Sequence, residues 1–146
     1  MKKTDPPIQL KVLYPVPIEK VWAALTDINK MQEWYFPHLV SFEPIVGFTT
    51  SFHLENEGRS FTHLWEITEV IPLQKLAYNW KYKEYNGDGY VVFELSKVAE
   101  KTQLELTNVI TKDYPDHILE FKRESGVAGW EYLLKQALND YLMQSD

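Results

Sequence analysis

Apolar and polar positions alternate along this chain in two rhythms, and the changes between them lay out the elements. Ile8, Leu10, Val12 and Tyr14 alternate with Gln9 and Lys11, the period of a half-buried strand. Pro15 and Pro17 end it, and Pro17 suits the first turn of a helix, where a missing N–H leaves nothing unpaired. Ile18, Val21, Trp22 and Leu25 recur at helical spacing, so residues 17–26 read as a short amphipathic helix. Asp27 is placed to cap a second helix over 28–34 that carries Ile28, Met31 and Trp34 and stops at Pro37.

The middle of the chain returns to period two. Phe48, Thr50, Phe52 and Leu54 share a strand face, and Glu55-Asn56-Glu57-Gly58 follow as a polar turn. Phe61, His63, Trp65, Ile67 and Glu69 form one face of the next strand, with Pro72 in its exit turn. Leu76, Tyr78, Trp80 and Tyr82 then alternate against Ala77, Asn79, Lys81 and Lys83. Asn86-Gly87-Asp88-Gly89 predicts a tight hairpin, because consecutive positive-φ positions favour Asn and Gly. Val91, Phe93 and Leu95 share a face after it. Beyond the turn at Ala99-Glu100-Lys101, so do Leu104, Leu106 and Asn108. Short turns between alternating strands predict an antiparallel meander.

From residue 116 the spacing becomes helical, with Val127, Trp130, Leu134, Ala137, Leu138 and Tyr141 in one stripe. Gly126 and Gly129 weaken a helix interior by roughly 1 kcal/mol each relative to Ala, which predicts a close approach or a kink there. One sheet face and one helix stripe must cover each other, so the fold class is α+β, a single domain over residues 1–146.

Composition narrows the function classes. The net charge of −6, with no cluster of Lys and Arg, argues against nucleic acid and against an anionic membrane surface. Zero cysteines remove disulfides, thiol catalysis and Cys-based zinc sites. Met1-Lys2-Lys3-Thr4-Asp5-Pro6-Pro7 lacks the apolar stretch of a signal peptide, so cytoplasmic residence is the default expectation. Five Trp, nine Tyr and seven Phe exceed what packing alone requires, which leaves aromatics free to line a site. Gly-x-Ser-x-Gly, His-Glu-x-x-His and phosphate-binding glycine loops do not occur. No catalytic residue, metal ligand or cofactor is therefore assigned.

Four ordered motifs carry a resemblance. They are Val21-Trp22-Ala23-Ala24-Leu25-Thr26-Asp27 followed by Trp34; Glu69-Val70-Ile71-Pro72-Leu73-Gln74-Lys75-Leu76 leading to Trp80; Val91 to Leu95 followed by Thr102 to Thr107; and Gly129-Trp130 followed by Leu133 and Leu138. Spread over residues 8–142, they resemble the START-like superfamily, also called helix-grip or Bet v-like. The branch they look most like is that of homologues of the heat-shock-protein-90 ATPase activator. The chain departs from that branch at Pro72-Leu73, where two prolines are usual, and at Asn108, where His is frequent. The resemblance implies a curved antiparallel sheet wrapped on a long C-terminal helix, with a cavity for hydrophobic or amphipathic molecules in many members. It implies no single activity, because carriers, sensors, cyclases, oxygenase domains and co-chaperone domains share the fold.

The residues expected to face the space between sheet and helix are Phe52, His63, Trp65 and Glu69, then Trp80, Tyr82, Phe93 and Asn108, and on the helix Trp130 and Leu134. Packed core and ligand-lining wall are both open readings for them. Glu69 reads either as a strand-end carboxylate or as a polar contact in the pocket. Trp34-Tyr35-Phe36-Pro37 is too apolar for an ordinary loop and reads as a cap on the cavity or a homodimer contact. The expected function is a non-enzymatic binding domain for a small hydrophobic or amphipathic molecule. The alternatives are a co-chaperone-like interaction domain, disfavoured by a start only seven residues before the first strand, and a cavity enzyme such as a cyclase or hydrolase.

Overall fold

The computed structural model describes residues 1–144. Its strands are β1 (Ile8–Tyr14), β2 (Thr49–Asn56), β3 (Arg59–Ile71), β4 (Lys75–Tyr82), β5 (Asp88–Val98) and β6 (Lys101–Lys112). They pair in the order β1-β6-β5-β4-β3-β2, antiparallel throughout. Strands β2 to β6 are thus a meander, and β1 returns to the edge beside β6. Two short helices, α1 (Ile18–Thr26) and α2 (Ile28–Trp34), carry the chain from one edge of the sheet to the other. The Asp27 carboxylate accepts from the Asn29 N–H at 2.9 Å, the cap its position predicted.

The closing segment breaks between residues 116–124 and the long helix, where Gly126 and Gly129 predicted a kink or a close approach. A 3-10 turn (Leu119–Phe121) comes first, Lys122 is extended, and only then does α3 (Arg123–Glu131) begin. A π-helical stretch (Tyr132–Ala137) follows, then α4 (Leu138–Leu142). Inside the π stretch the Tyr14 hydroxyl donates to the Leu134 carbonyl at 2.6 Å, tying the rod to β1. Leu134, Leu138 and Leu142 are buried against a sheet face that includes Trp65, Tyr78, Phe93, Leu104 and Leu106. α1 and α2 pack on α4 and close that end of the molecule.

The turns show where sequence chemistry held and where packing overrode it. Glu57 and Gly58 both take positive φ (54° and 77°) and join β2 to β3 in two residues. Asn86–Gly89, by contrast, is not a tight hairpin. Pairing of β4 with β5 stops at Asn79↔Tyr90, so Trp80, Lys81 and Tyr82 have no partner on β5. Of the four residues only Gly87 takes positive φ (131°), and a Cβ there would collide with the ring of Tyr114. The Tyr114 hydroxyl donates to the Trp80 carbonyl at 3.0 Å, which satisfies a backbone group left unpaired where β5 parts from β4.

A second correction concerns Glu69. The register of β3 on β4 slips between Ile67 and Glu69, and one extra residue exchanges inward for outward positions. Glu69 therefore leaves the face it would share with Trp65 and Ile67, and its carboxylate meets Lys75 Nζ at 3.0 Å with 45% of the side chain exposed. Val70 packs on the core in its place.

Candidate functional site: a cavity at the open end of the grip

Where β4 and β5 part, the first turns of the closing helix touch the sheet through Gly126 against Ile8 on β1 and through Trp130 against Trp80 and Asn108. They leave a gap between these contacts and Phe61 on β3. The gap is a cavity of about 350 Å³. Phe36, Trp80, Trp130 and Leu133 line it from the side of the main core. Phe61, Tyr114, Phe121 and Ile110 line it from a second, separate cluster of apolar side chains. The cavity lies between the two clusters, which His63 and Tyr82 join along one wall. Its volume falls at the lower end of the roughly 300–1,000 Å³ usual for ligand sites, and aromatic walls with a few polar groups are their usual lining. A wider depression of about 740 Å³ lies between the β3–β4 turn and β5, lined by Ile71, Pro72 and Leu73 together with Lys75, Glu94 and Lys97, and it has no aromatic wall.

Five of the expected residues meet at the cavity: His63, Trp80, Tyr82, Asn108 and Trp130. Phe52, Trp65, Phe93 and Leu134 sit behind it in the core, between 0% and 4% exposed, and Glu69 lies away from it. The division follows from strand position. Tyr82 and His63 are cross-strand partners on β4 and β3, and Asn108 occupies the matching end of β6. Phe93 and Leu134 lie farther toward the closed end. Trp65 stacks among Tyr35, Tyr78 and Trp80, and its Nε1 is enclosed without a hydrogen-bond partner among the described residues.

The polar groups on the wall have defined roles. Trp80 Nε1 donates to the Tyr82 hydroxyl at 2.9 Å, and Trp130 Nε1 donates to Asn108 Oδ1 at 3.3 Å. Asn108 Nδ2 donates to the Tyr90 carbonyl at 3.2 Å, so that amide is occupied on both sides. Burial pushes the Tyr82 and Tyr114 phenols far up, which keeps both protonated. Burial also drives His63 down to about 4, so its ring is neutral near pH 7. At the rim, Glu120 accepts two hydrogen bonds from Arg59, at 2.8 and 2.9 Å, and one from Asn56 at 2.7 Å. That fork joins the β2–β3 turn to the 3-10 turn across the mouth.

Sequence reasoning did not place Tyr114, Phe121 or Ile110 at the site. Tyr114 precedes the helical spacing that begins at 116, and Phe121 lies outside the stripe that starts at Val127, so neither was assigned a face. Phe36 belonged to the stretch read as a cap, and it does lie on the cavity wall. Its neighbour Tyr35 is core, its hydroxyl 2.8 Å from that of Tyr78. Gly129 opens onto the cavity with nothing near its missing Cβ, whereas Gly126 admits Met1 and Ile8 side chains to the helix backbone. Among the described residues no group of His, Asp and Glu is arranged to hold a metal ion, and no helix is long and apolar enough to cross a membrane.

The family described as activator of Hsp90 ATPase homolog 1-like protein matches residues 15–143. The chain belongs to that family. A search of curated proteins found no match. Among solved structures, CV1439 from Chromobacterium violaceum superposes with a TM-score of 0.79 at 19% identity, over 95% of this chain and 98% of that one. The Aha1 dimer from Colwellia psychrerythraea gives a TM-score of 0.71 at 17% identity, over 94% and 96%. DynU16, a protein in the dynemicin biosynthetic locus, gives 0.75 at 25% identity over 94% of this chain and 47% of its own. The family membership and the shared helix-grip architecture agree with the four motifs and the meander-plus-helix pattern.

Proposed function

We propose that this family member is a binding domain that encloses a small hydrophobic or amphipathic molecule without transforming it. The observation that carries the reading is the aromatic-lined cavity. A domain of this size gains by closing its apolar surfaces on one another. Here two aromatic clusters, joined along one wall by His63 and Tyr82, leave about 350 Å³ open between them. Trp80 and Trp130, 5.7 Å apart edge to face, bound that space and report on it. Titration with polycyclic aromatics and lipids, followed through tryptophan fluorescence and the indole N–H signals of Trp80 and Trp130, is expected to shift both residues ahead of Trp22. A broad panel that moves neither would overturn the reading.

A homodimer in the cytoplasm is the second part of the proposal. The Aha1 of Colwellia psychrerythraea shares the fold and is a dimer. In this chain Val40, Ile45 and Val46 stand 58–75% exposed on the segment entering edge strand β2. Sedimentation velocity should find a dimer that Val40→Asp with Val46→Asp dissociates; a monomer at all concentrations would remove this part alone.

A further inference from the structure

Two polar atoms on the cavity wall have hydrogen-bonding capacity that the protein does not use. His63 Nδ1 faces the Phe61 carbonyl at 3.3 Å. A carbonyl only accepts, so Nδ1 carries the ring proton and Nε2 is a bare acceptor. Nε2 has no partner among the described residues, yet the one fully enclosed side-chain polar atom without a partner is Trp65 Nε1. Nε2 is therefore reached from the cavity that His63 lines. The Tyr82 hydroxyl is the converse case. It accepts from Trp80 Nε1, an N–H that only donates, so its own proton is left to give. The two rings lie edge to face with centroids 4.7 Å apart.

An acceptor and a donor on neighbouring rings of one wall match a hydroxyl group, which donates through its proton and accepts through its oxygen. The surroundings select further. Phe36, Trp80 and Trp130 on one side, and Phe61 and Phe121 on the other, suit a flat aromatic body. Of the two carboxylates on the lining, Glu120 is paired with Arg59 and Glu55 stands at the rim without a Lys or Arg partner among the described residues, so the lining offers an anionic head group no free Lys or Arg side chain. An ion of either sign would also have to give up its hydration among aromatic walls. Resting on the binding-domain reading above, we propose that the cavity takes a neutral hydroxylated aromatic, a phenol, with its hydroxyl held between His63 Nε2 and the Tyr82 hydroxyl.

The test uses four naphthalenes of one substitution pattern, bearing hydroxyl, methoxy, methyl or carboxylate groups, titrated into the full chain. The indole N–H signals of Trp80 and Trp130 give each affinity. Naphthol is expected to bind about tenfold or more tightly than methylnaphthalene, since two hydrogen bonds in a dry site distinguish them. Methoxynaphthalene accepts from Tyr82 but has nothing to donate to His63, and should fall between. Naphthoate should be the weakest. In His63→Phe, which keeps a ring on Phe52, the ratio of naphthol to methylnaphthalene affinity should fall to the ratio that methoxynaphthalene shows in the unaltered chain, whatever the common change in apolar binding. Should that variant fail to fold, the four-probe order in the unaltered chain decides alone. Equal binding of naphthol and methylnaphthalene, or tighter binding of naphthoate, overturns the phenol site and leaves the apolar cavity standing. No binding by any of the four overturns both.

Discussion

Acid should weaken this fold through His63 well before its carboxylates titrate. The ring is 4% exposed, stacked on Phe52 at 4.5 Å and met edge to face by Tyr82 at 4.7 Å. Burial is the main cause that lowers it from 6.5 to about 4; the Phe61 carbonyl and Glu84 oppose the shift, and His38 and His53 add to it slightly. The unfolded chain, with a histidine near 6.5, binds a proton more readily than the folded one. Stability is then whole above the unfolded value, falls as pH drops from 6.5 toward 4, and levels off below. Linkage over that interval gives on the order of 3 kcal/mol in all, and about 2 kcal/mol between pH 7 and pH 5.

The window belongs to histidine. The Arg59 hydrogen bond holds the Glu120 carboxyl below the ordinary range. For Glu84, burial opposes ionisation but hydrogen bonds from Thr62 outweigh it and lower that group as well. A depressed carboxylate contributes stability that is lost only as pH falls through its folded value, beneath the interval in question. His38, His53 and His117 are exposed. Urea unfolding at pH 7, 6 and 5, read by tryptophan fluorescence, measures the loss, and His63→Phe provides the reference. The midpoint of the unaltered chain should fall with acid while that of His63→Phe stays nearly level. Parallel curves for the two proteins would refute the assignment.

Three further changes probe the backbone and the rod. Gly87→Ala should destabilise by about 1–3 kcal/mol or more, because φ is 131° and the new methyl meets the Tyr114 ring; an unchanged urea midpoint would mean that Tyr114 is not wedged there. Gly129→Ala should stabilise by about 0.5–1 kcal/mol, since the residue lies in α3 and its Cβ meets nothing within 4 Å; thermal melts check the sign. Tyr14→Phe should cost about 1–3 kcal/mol by leaving the buried Leu134 carbonyl without its 2.6 Å bond, with amide exchange quickening around the π-helical stretch.

Much of the fold was written in period. The strand faces up to Ile67 and beyond Leu76 follow from alternation and the Leu134–Leu138 stripe from helical spacing, because each buries one side against a single partner layer. The Asp27 cap follows from its carboxylate at a helix start. The failures occur where a long-range contact outbids a local preference. At Asn86–Gly89 the local signal for a tight turn is real, but Tyr114 arrives from beyond β6 and takes the space and the Trp80 carbonyl. At Glu69 one bulged residue inverts the face, and parity has no memory of a bulge until the register is seen. The site divides the same way. His63, Trp80, Tyr82, Asn108 and Trp130 were legible as inward positions. Which inward positions open on a cavity, and which, like Trp65 and Phe93, fill the core behind it, depends on how far along each strand the helix stays in contact. Alternation carries no information about that distance.

The cavity's place at one end has a physical reason that joins these local departures. Toward α4 the rod is Leu-rich and α1 and α2 close over it, so the sheet is gripped to contact. Toward α3 the rod carries Gly126, which brings its backbone against Ile8 of β1, and Gly129, which places no side chain in the gap beyond. On that same side β5 leaves β4 after Asn79 and the sheet loses its own closure. Either departure alone could be repaired, a sparse helix by a continuous sheet or a split sheet by a bulky helix. Together at one end they leave a gap, and the side chains that come to it, Tyr114 and Phe121, arrive from the connection between β6 and α3 and line its rim without filling it. Gly129→Phe is the consequence to test. It adds a large side chain at a cavity-lining helix position whose Cβ meets nothing within 4 Å, and it should abolish probe binding at Trp80 and Trp130 while the fold survives. Retained binding with an unchanged affinity would show that ligand enters elsewhere.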